Sequence, residues 1–88
     1  MIRRRVRVSG RVQGVGFRYS CARAAVAAGV AGWVRNLPDG TVEAAFEGEE
    51  HAVDAMTDWM RSGPPWAHVT SVDTGEEDPA GVSGFDIR

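Results

Sequence analysis

Two stretches of this sequence combine residue types suited to anion chemistry. The first is Gly10-Arg11-Val12-Gln13-Gly14-Val15-Gly16-Phe17-Arg18, with three glycines ahead of an arginine. Glycine-rich backbone can turn successive N–H groups into one concavity. If a helix follows, its first-turn N–H groups lack intrahelical partners and its dipole adds positive charge there. Arg18 would sit in that first turn. Its planar guanidinium suits two oxygens of a phosphate or carboxylate. The chemistry implied is a phosphate-sized oxyanion site. The stretch is neither a Walker A loop, lacking Gly-Lys-[Ser/Thr], nor the dinucleotide fingerprint. Taken alone it also suits a tight turn beside a solvated arginine. The second stretch, Gly32-Trp33-Val34-Arg35-Asn36, leads into Pro38-Asp39-Gly40 and holds the chain's only asparagine. Taken alone, Asn36 reads as an Asx-type turn former ahead of the proline.

The hydropathy pattern supplies the elements that must carry these stretches. Arg3 to Val8 alternates as a half-buried strand, with Val6 and Val8 inward, Arg3, Arg5 and Arg7 outward, and Arg4 a misfit on the inner side. Gly10 to Gly16 reads as a loop. From Phe17 the period becomes helical, through Cys21, Ala24, Ala25 and Ala28, and Gly29 supplies the stop. Val30 to Arg35 predicts a second strand, and Asn36 to Gly40 a tight hairpin turn. Thr41 to Glu47 predicts a third strand, with Val42, Ala44 and Phe46 opposite Thr41, Glu43 and Ala45. Glu49 and Glu50 open a second helix with the stripe Val53, Met56, Trp59 and Met60, ended by Gly63-Pro64-Pro65. His68 to Asp73 predicts a fourth strand, Gly75 to Gly81 an acidic loop containing Glu76-Glu77-Asp78, and Phe85 to Ile87 a short closing strand. The β-α-β-β-α-β order predicts an α+β, ferredoxin-like sandwich, one antiparallel sheet with both helices on one face. That architecture hosts many functions and by itself names none.

Composition narrows the classes. At 88 residues the chain is expected to be one domain, 1–88. Hydrophobic residues at 43% exclude a disordered chain, and no apolar run is long enough to cross a membrane as a helix. The arginine-rich start is followed by no apolar stretch, so neither a secretory signal nor a transit peptide is expected. One cysteine, Cys21, makes no internal disulfide, and one thiol with two histidines makes no structural zinc site. A cytoplasmic protein is expected. The net charge of −2 conceals an imbalance: residues 1–38 carry eight arginines and no carboxylate, and the remainder two arginines and twelve carboxylates. A domain this small interleaves its halves, so a local positive field around an anion site is expected rather than a nucleic-acid surface. An RNA-recognition domain shares the element order but needs exposed aromatics on its central strands.

Together, Val8-Ser9-Gly10-Arg11-Val12-Gln13-Gly14-Val15-Gly16-Phe17-Arg18, Gly32-Trp33-Val34-Arg35-Asn36, Asp39-Gly40-Thr41-Val42-Glu43, Gly63-Pro64-Pro65 and the closing Ser83-Gly84-Phe85-Asp86-Ile87-Arg88 resemble the acylphosphatase family, in its order and spacing over essentially the whole chain. The resemblance implies hydrolysis of an acyl phosphate to a carboxylate and inorganic phosphate. It implies Arg18 as the phosphate-binding arginine and Asn36 as the residue that positions the attacking water. Arg11, Val12, Gln13, Gly14, Val15, Gly16 and Phe17 would form the phosphate loop. No covalent nucleophile, cofactor, metal, nucleic acid or membrane is expected to take part, and a free-standing monomer is expected. The rival expectation is a binding module of the same fold that keeps the anion pocket without turnover. Cys21 is expected in the core, as is Trp59. His51 and His68 read as surface or capping residues, and Arg35 as support on the opposite sheet face. Trp33 and Trp66 are candidates to line an aromatic acyl site.

Overall fold

The computed structural model describes residues 1–88. Its elements are β1 (Ile2–Arg11), α1 (Phe17–Ala28), β2 (Ala31–Asn36), β3 (Val42–Gly48), α2 (Glu50–Met60), β4 (His68–Glu77) and β5 (Phe85–Ile87). They form one five-stranded sheet in the order β4-β1-β3-β2-β5. The first four strands in that order pair antiparallel. β5 lies parallel to β2, so the sheet is mixed rather than wholly antiparallel. This edge is fixed at both ends: the Gly32 N–H donates to the Gly84 carbonyl at 2.9 Å and the Arg88 N–H to the Val34 carbonyl at 2.8 Å.

Both helices cover one face. Val6, Val8, Val34, Val42, Ala44 and Phe46 point from the sheet into a cluster with Phe17, Cys21 and Ala25 of α1 and Val53, Met56 and Met60 of α2. Phe17 meets the half-buried Trp59 edge-on at 5.3 Å, and Phe46 stacks on Phe85 at 5.8 Å. α1 stops where the Val30 N–H donates to the Ala25 carbonyl, with Gly29 left-handed between them. Arg4, the inward charge, has partners there: it donates to Asp54 at 2.8 Å and Thr57 at 3.1 Å on α2, and also pairs with Glu76.

The opposite face explains three departures from the expected pattern. β3 is buried on both sides, from Val42 to Gly48, instead of alternating. Arginines and carboxylates lie across its outer side: Arg3 pairs with Glu47 and Glu77, Arg5 with Glu43 and Glu77, and Arg35 with Glu43. Their long apolar stems cover the strand while the heads neutralise one another. Trp33 is buried on this face, with the guanidinium groups of Arg35, Arg88 and Arg5 at 4.9, 5.0 and 5.4 Å from its ring. For the same electrostatic reason β4 continues through Glu77 where a loop was expected. Glu77 lies opposite Arg3 and Glu76 opposite Arg4 in the register, so these two extend the sheet, while Glu76 and Asp78 stay exposed as expected. β1 likewise runs on to Arg11, past a bulge at Ser9/Gly10. Arg35 takes the expected supporting place on this face.

Glu47 is the deepest of these charges, 2% exposed. Its carboxylate accepts from the N–H groups of Ala80 at 2.7 Å and Gly81 at 2.9 Å and from Arg3 at 3.2 Å, pinning the segment between β4 and β5. The Ala80 N–H above all, with Gly81 and Arg3, holds this carboxyl below the usual glutamate range against the opposing effect of burial. A depressed acid stabilises the fold fully above its unfolded value, and that contribution is lost as the pH falls through the lower folded value. Glu47→Gln should therefore be less stable than the parent at neutral pH, with the gap narrowing as the pH drops below about 4. Urea unfolding across that range would show it; a gap independent of pH would contradict it. Cys21 is fully buried beside Met60, and burial pushes its thiol up to about 12. The native protein should accordingly resist alkylation by iodoacetamide at pH 8 and react only after unfolding, as mass spectrometry of timed samples would reveal.

Candidate active site

The glycine-rich stretch leaves β1 at Arg11 and enters α1 at Phe17. Gly14 (φ 74°) and Gly16 (φ 76°) are both left-handed, a conformation that other residues adopt at a cost. Gly16 is the N-cap and, having no side chain, leaves the helix end uncapped. The first bond of this turn is the Ser20 N–H to the Gly16 carbonyl. The N–H groups from Val12 to Tyr19 consequently have no backbone acceptor.

These amides border a cavity of about 220 Å3. Val12, Gly14 and Gly16 line it from the loop, Phe17, Arg18 and Tyr19 from the first turn of α1, Asn36 from the end of β2, and Ile87 from β5. The fold thus brings Arg18 and Asn36, far apart in sequence, to one concavity. Arg18 pairs with no side-chain carboxylate; its one hydrogen bond is a long one, from Nη1 to the main-chain oxygen of Arg88, the last residue of the sequence, at 3.4 Å. Arg3, Arg4, Arg5 and Arg35 of the sheet are ion-paired, whereas Arg18 faces the cavity without a side-chain counter-charge. Asn36 makes no turn: Asp39 does that work, accepting from the Thr41 N–H at 3.0 Å and the Thr41 hydroxyl at 2.6 Å. The hydroxyl, followed by the N–H, holds the Asp39 carboxyl below its usual range. The side-chain amide of Asn36 is left without a protein partner.

Other residues of the two stretches stand elsewhere. Gln13 is turned away from the cavity wall, and its Nε2 donates to the carbonyls of Leu37 at 2.8 Å and Thr41 at 3.0 Å. It ties the loop to the turn that follows Asn36. Val15 packs against the core and Arg11 is exposed, and neither lines the cavity. Trp33 is under the arginines of the open face and Trp66 is 78% exposed, so neither aromatic lines this cavity. Tyr19 and Ile87 do, although sequence reasoning passed over both. Tyr19 could have been found as Arg18's neighbour in the first turn. Ile87 could not, because its place depends on β5 running parallel to β2.

Unpaired amides, a helix N-terminus and a guanidinium without a side-chain counter-charge surround one small cavity of an α+β sandwich, chemistry suited to an oxyanion. Comparison with known proteins gives the family. The acylphosphatase family model matches residues 4–87. An acylphosphatase of Thermococcus kodakarensis is 54% identical over 86 residues, covering 98% of this chain and 94% of that one. One of Anaeromyxobacter dehalogenans is 56% identical over 88 residues, covering 99% and 95%. The crystal structure of acylphosphatase from Bacillus subtilis superposes with a TM-score of 0.97 at 39% identity, over 100% of this chain and 99% of that one. The chain belongs to the acylphosphatase family, hydrolases of acyl phosphates.

The Gln13 contact carries a direct test. Gln13→Ala should cost about 1 kcal/mol by removing two side-chain hydrogen bonds, since the Leu37 and Thr41 carbonyls still accept from the Gly40 and Leu37 N–H groups. Gln13→Glu, which sets a carboxylate against the same two oxygens, should cost more. Urea unfolding of both variants would check the order, and equal stability with the parent would rule out a structural role for this contact.

Proposed function

We propose that the chain hydrolyses acyl phosphates with Arg18 and the loop amides as the phosphate site and Asn36 as the residue that positions water. The observation that carries this reading is the meeting of unpaired amides, an Arg18 without a side-chain counter-charge and an unpaired Asn36 at one cavity. An acyl phosphate is a mixed anhydride. Its leaving group is a carboxylate whose conjugate acid has a pKa near ~4, so it departs without a general acid. No covalent nucleophile is then required. The remaining task is to align water with the phosphorus and to stabilise charge as it redistributes over the phosphoryl oxygens.

Each group has a part suited to its chemistry. The amides of Val12 to Phe17 and the guanidinium of Arg18 bind the three non-bridging oxygens, more strongly as the transition state forms. Asn36 is neutral and cannot take a proton at pH 7, so it orients the water. Water attacks phosphorus, the bond between phosphorus and the bridging oxygen breaks, and the electron pair leaves with the carboxylate. The proton passes to a phosphate oxygen or to solvent. Charge comes from Arg18 and the amides, so the reaction is proposed to proceed without a metal or cofactor. A monomer acting on a small cytoplasmic substrate completes the proposal.

Benzoyl phosphate hydrolysis in EDTA tests the assignment. The parent should turn over, Arg18→Ala should lose most activity, and Arg18→Lys should recover little because a point charge lacks the fork. Asn36→Ala should lower kcat by about 10²–10³-fold with inhibition by inorganic phosphate nearly unchanged. Loss of phosphate inhibition in Asn36→Ala would make it a binding residue instead. A folded parent that binds phosphate and never turns over would be a binding module.

A further inference from the structure

α1 has a second apolar stripe that the core does not use. Tyr19, Ala22, Val26 and Ala27 follow helical spacing on its outer side, where Tyr19 is 64% and Val26 67% exposed. With Arg23 and Ile87, the latter 47% exposed, they line an open groove of about 410 Å3. Apolar side chains of this size, exposed together on one face, are a feature that a small domain does not need for folding.

What gives the groove an occupant is its continuity with the cavity. Tyr19 and Ile87 line both spaces, so the groove begins where the cavity opens. From Tyr19 to Val26 the helix advances about 10 Å, enough for an aryl ring or a medium alkyl chain. A phosphoryl group held by Arg18 and the loop amides would lie beside Tyr19 and Ile87, and a bulky acyl substituent directed past them meets protein rather than water.

We infer that this groove is the acyl subsite, selecting acyl phosphates with apolar aryl or alkyl groups over acetyl phosphate. The inference rests on the proposed phosphate site. Tyr19 and Ile87 form the junction, and Val26 the far wall. Arg23 lies 5.9 Å from the Tyr19 ring and steadies it from the solvent side. Contact with the acyl group persists from bound substrate to transition state, so it acts on KM and leaves kcat largely alone.

The experiment compares acetyl and benzoyl phosphate as substrates of the parent, Val26→Ser and Val26→Asp. Val26 touches neither the cavity nor the core, so both variants should fold, as circular dichroism would verify. In the parent, KM for benzoyl phosphate should lie at least several-fold below that for acetyl phosphate. Each variant should raise it by about threefold to tenfold, less than for an enclosed pocket because the groove stays open to water. The acetyl phosphate constants and the inhibition constant of inorganic phosphate should stay unchanged. Equal effects on both substrates, or none, would overturn the subsite while leaving the phosphate site intact. A parent that sediments as a dimer, with Val26→Asp monomeric, would assign the groove to a second copy and overturn it too. If the parent hydrolyses neither substrate, the underlying reading falls and the subsite with it.

Discussion

The two hydrogen bonds from Gln13 hold the site together. The loop and the end of β2 arrive from different parts of the chain; the register sets Val8 and Asn36 on either side of Val42, and the loop that leaves β1 still has to be tied to the turn that leaves β2. One side-chain amide reaching the carbonyls of Leu37 and Thr41 does so, because its two donors must both find acceptors in a half-buried place. With the turn anchored, Asn36 is held at the cavity wall without spending its own side chain. The Asp39–Thr41 contact completes the arrangement by closing the turn from within.

A similar economy governs the charges. Eight arginines in the first 38 residues could have produced a strongly basic surface. The register prevents it by setting the arginines of β1 opposite the carboxylates of β3 and β4. Exposed ion pairs contribute little individually, but here they form a connected layer that is largely screened from water around Glu47 and Arg3. At the cavity, Arg18 is left without a side-chain counter-charge. Local selectivity thus comes from which arginine is left over rather than from the total.

The order of elements and both helices were legible from period and punctuation, because Phe17, Cys21 and Ala25 or Val53, Met56 and Met60 report a buried face wherever they occur. Arg18 and Asn36 stood out through the family motifs, and the fold sets both at one cavity. What escaped was whatever depends on pairs distant in sequence. Glu76 and Glu77 look like solvated loop residues until Arg3 and Arg4 lie opposite them. β3 looks half-exposed until arginine stems and Trp33 cover its second face. Ile87 has no visible link to the phosphate loop until β5 takes its place beside β2. Gln13 could be placed in the loop, but its acceptors are backbone carbonyls, which leave no mark on the sequence.

The sheet order also bears on how the protein is made. β1 leaves the ribosome first, yet one of its two neighbours, β4, is completed only at Glu77. Until then Arg3, Arg4 and Arg5 lack their partners on β4, and one edge of β1 is open. Synthesis proceeds at about 5–20 residues per second, so a nascent chain waits seconds with that edge unpaired. A strand so rich in arginine is poorly suited to self-association during the delay, because like charges repel across any copy that might add to it. The composition that later locks the sheet therefore also guards the growing chain.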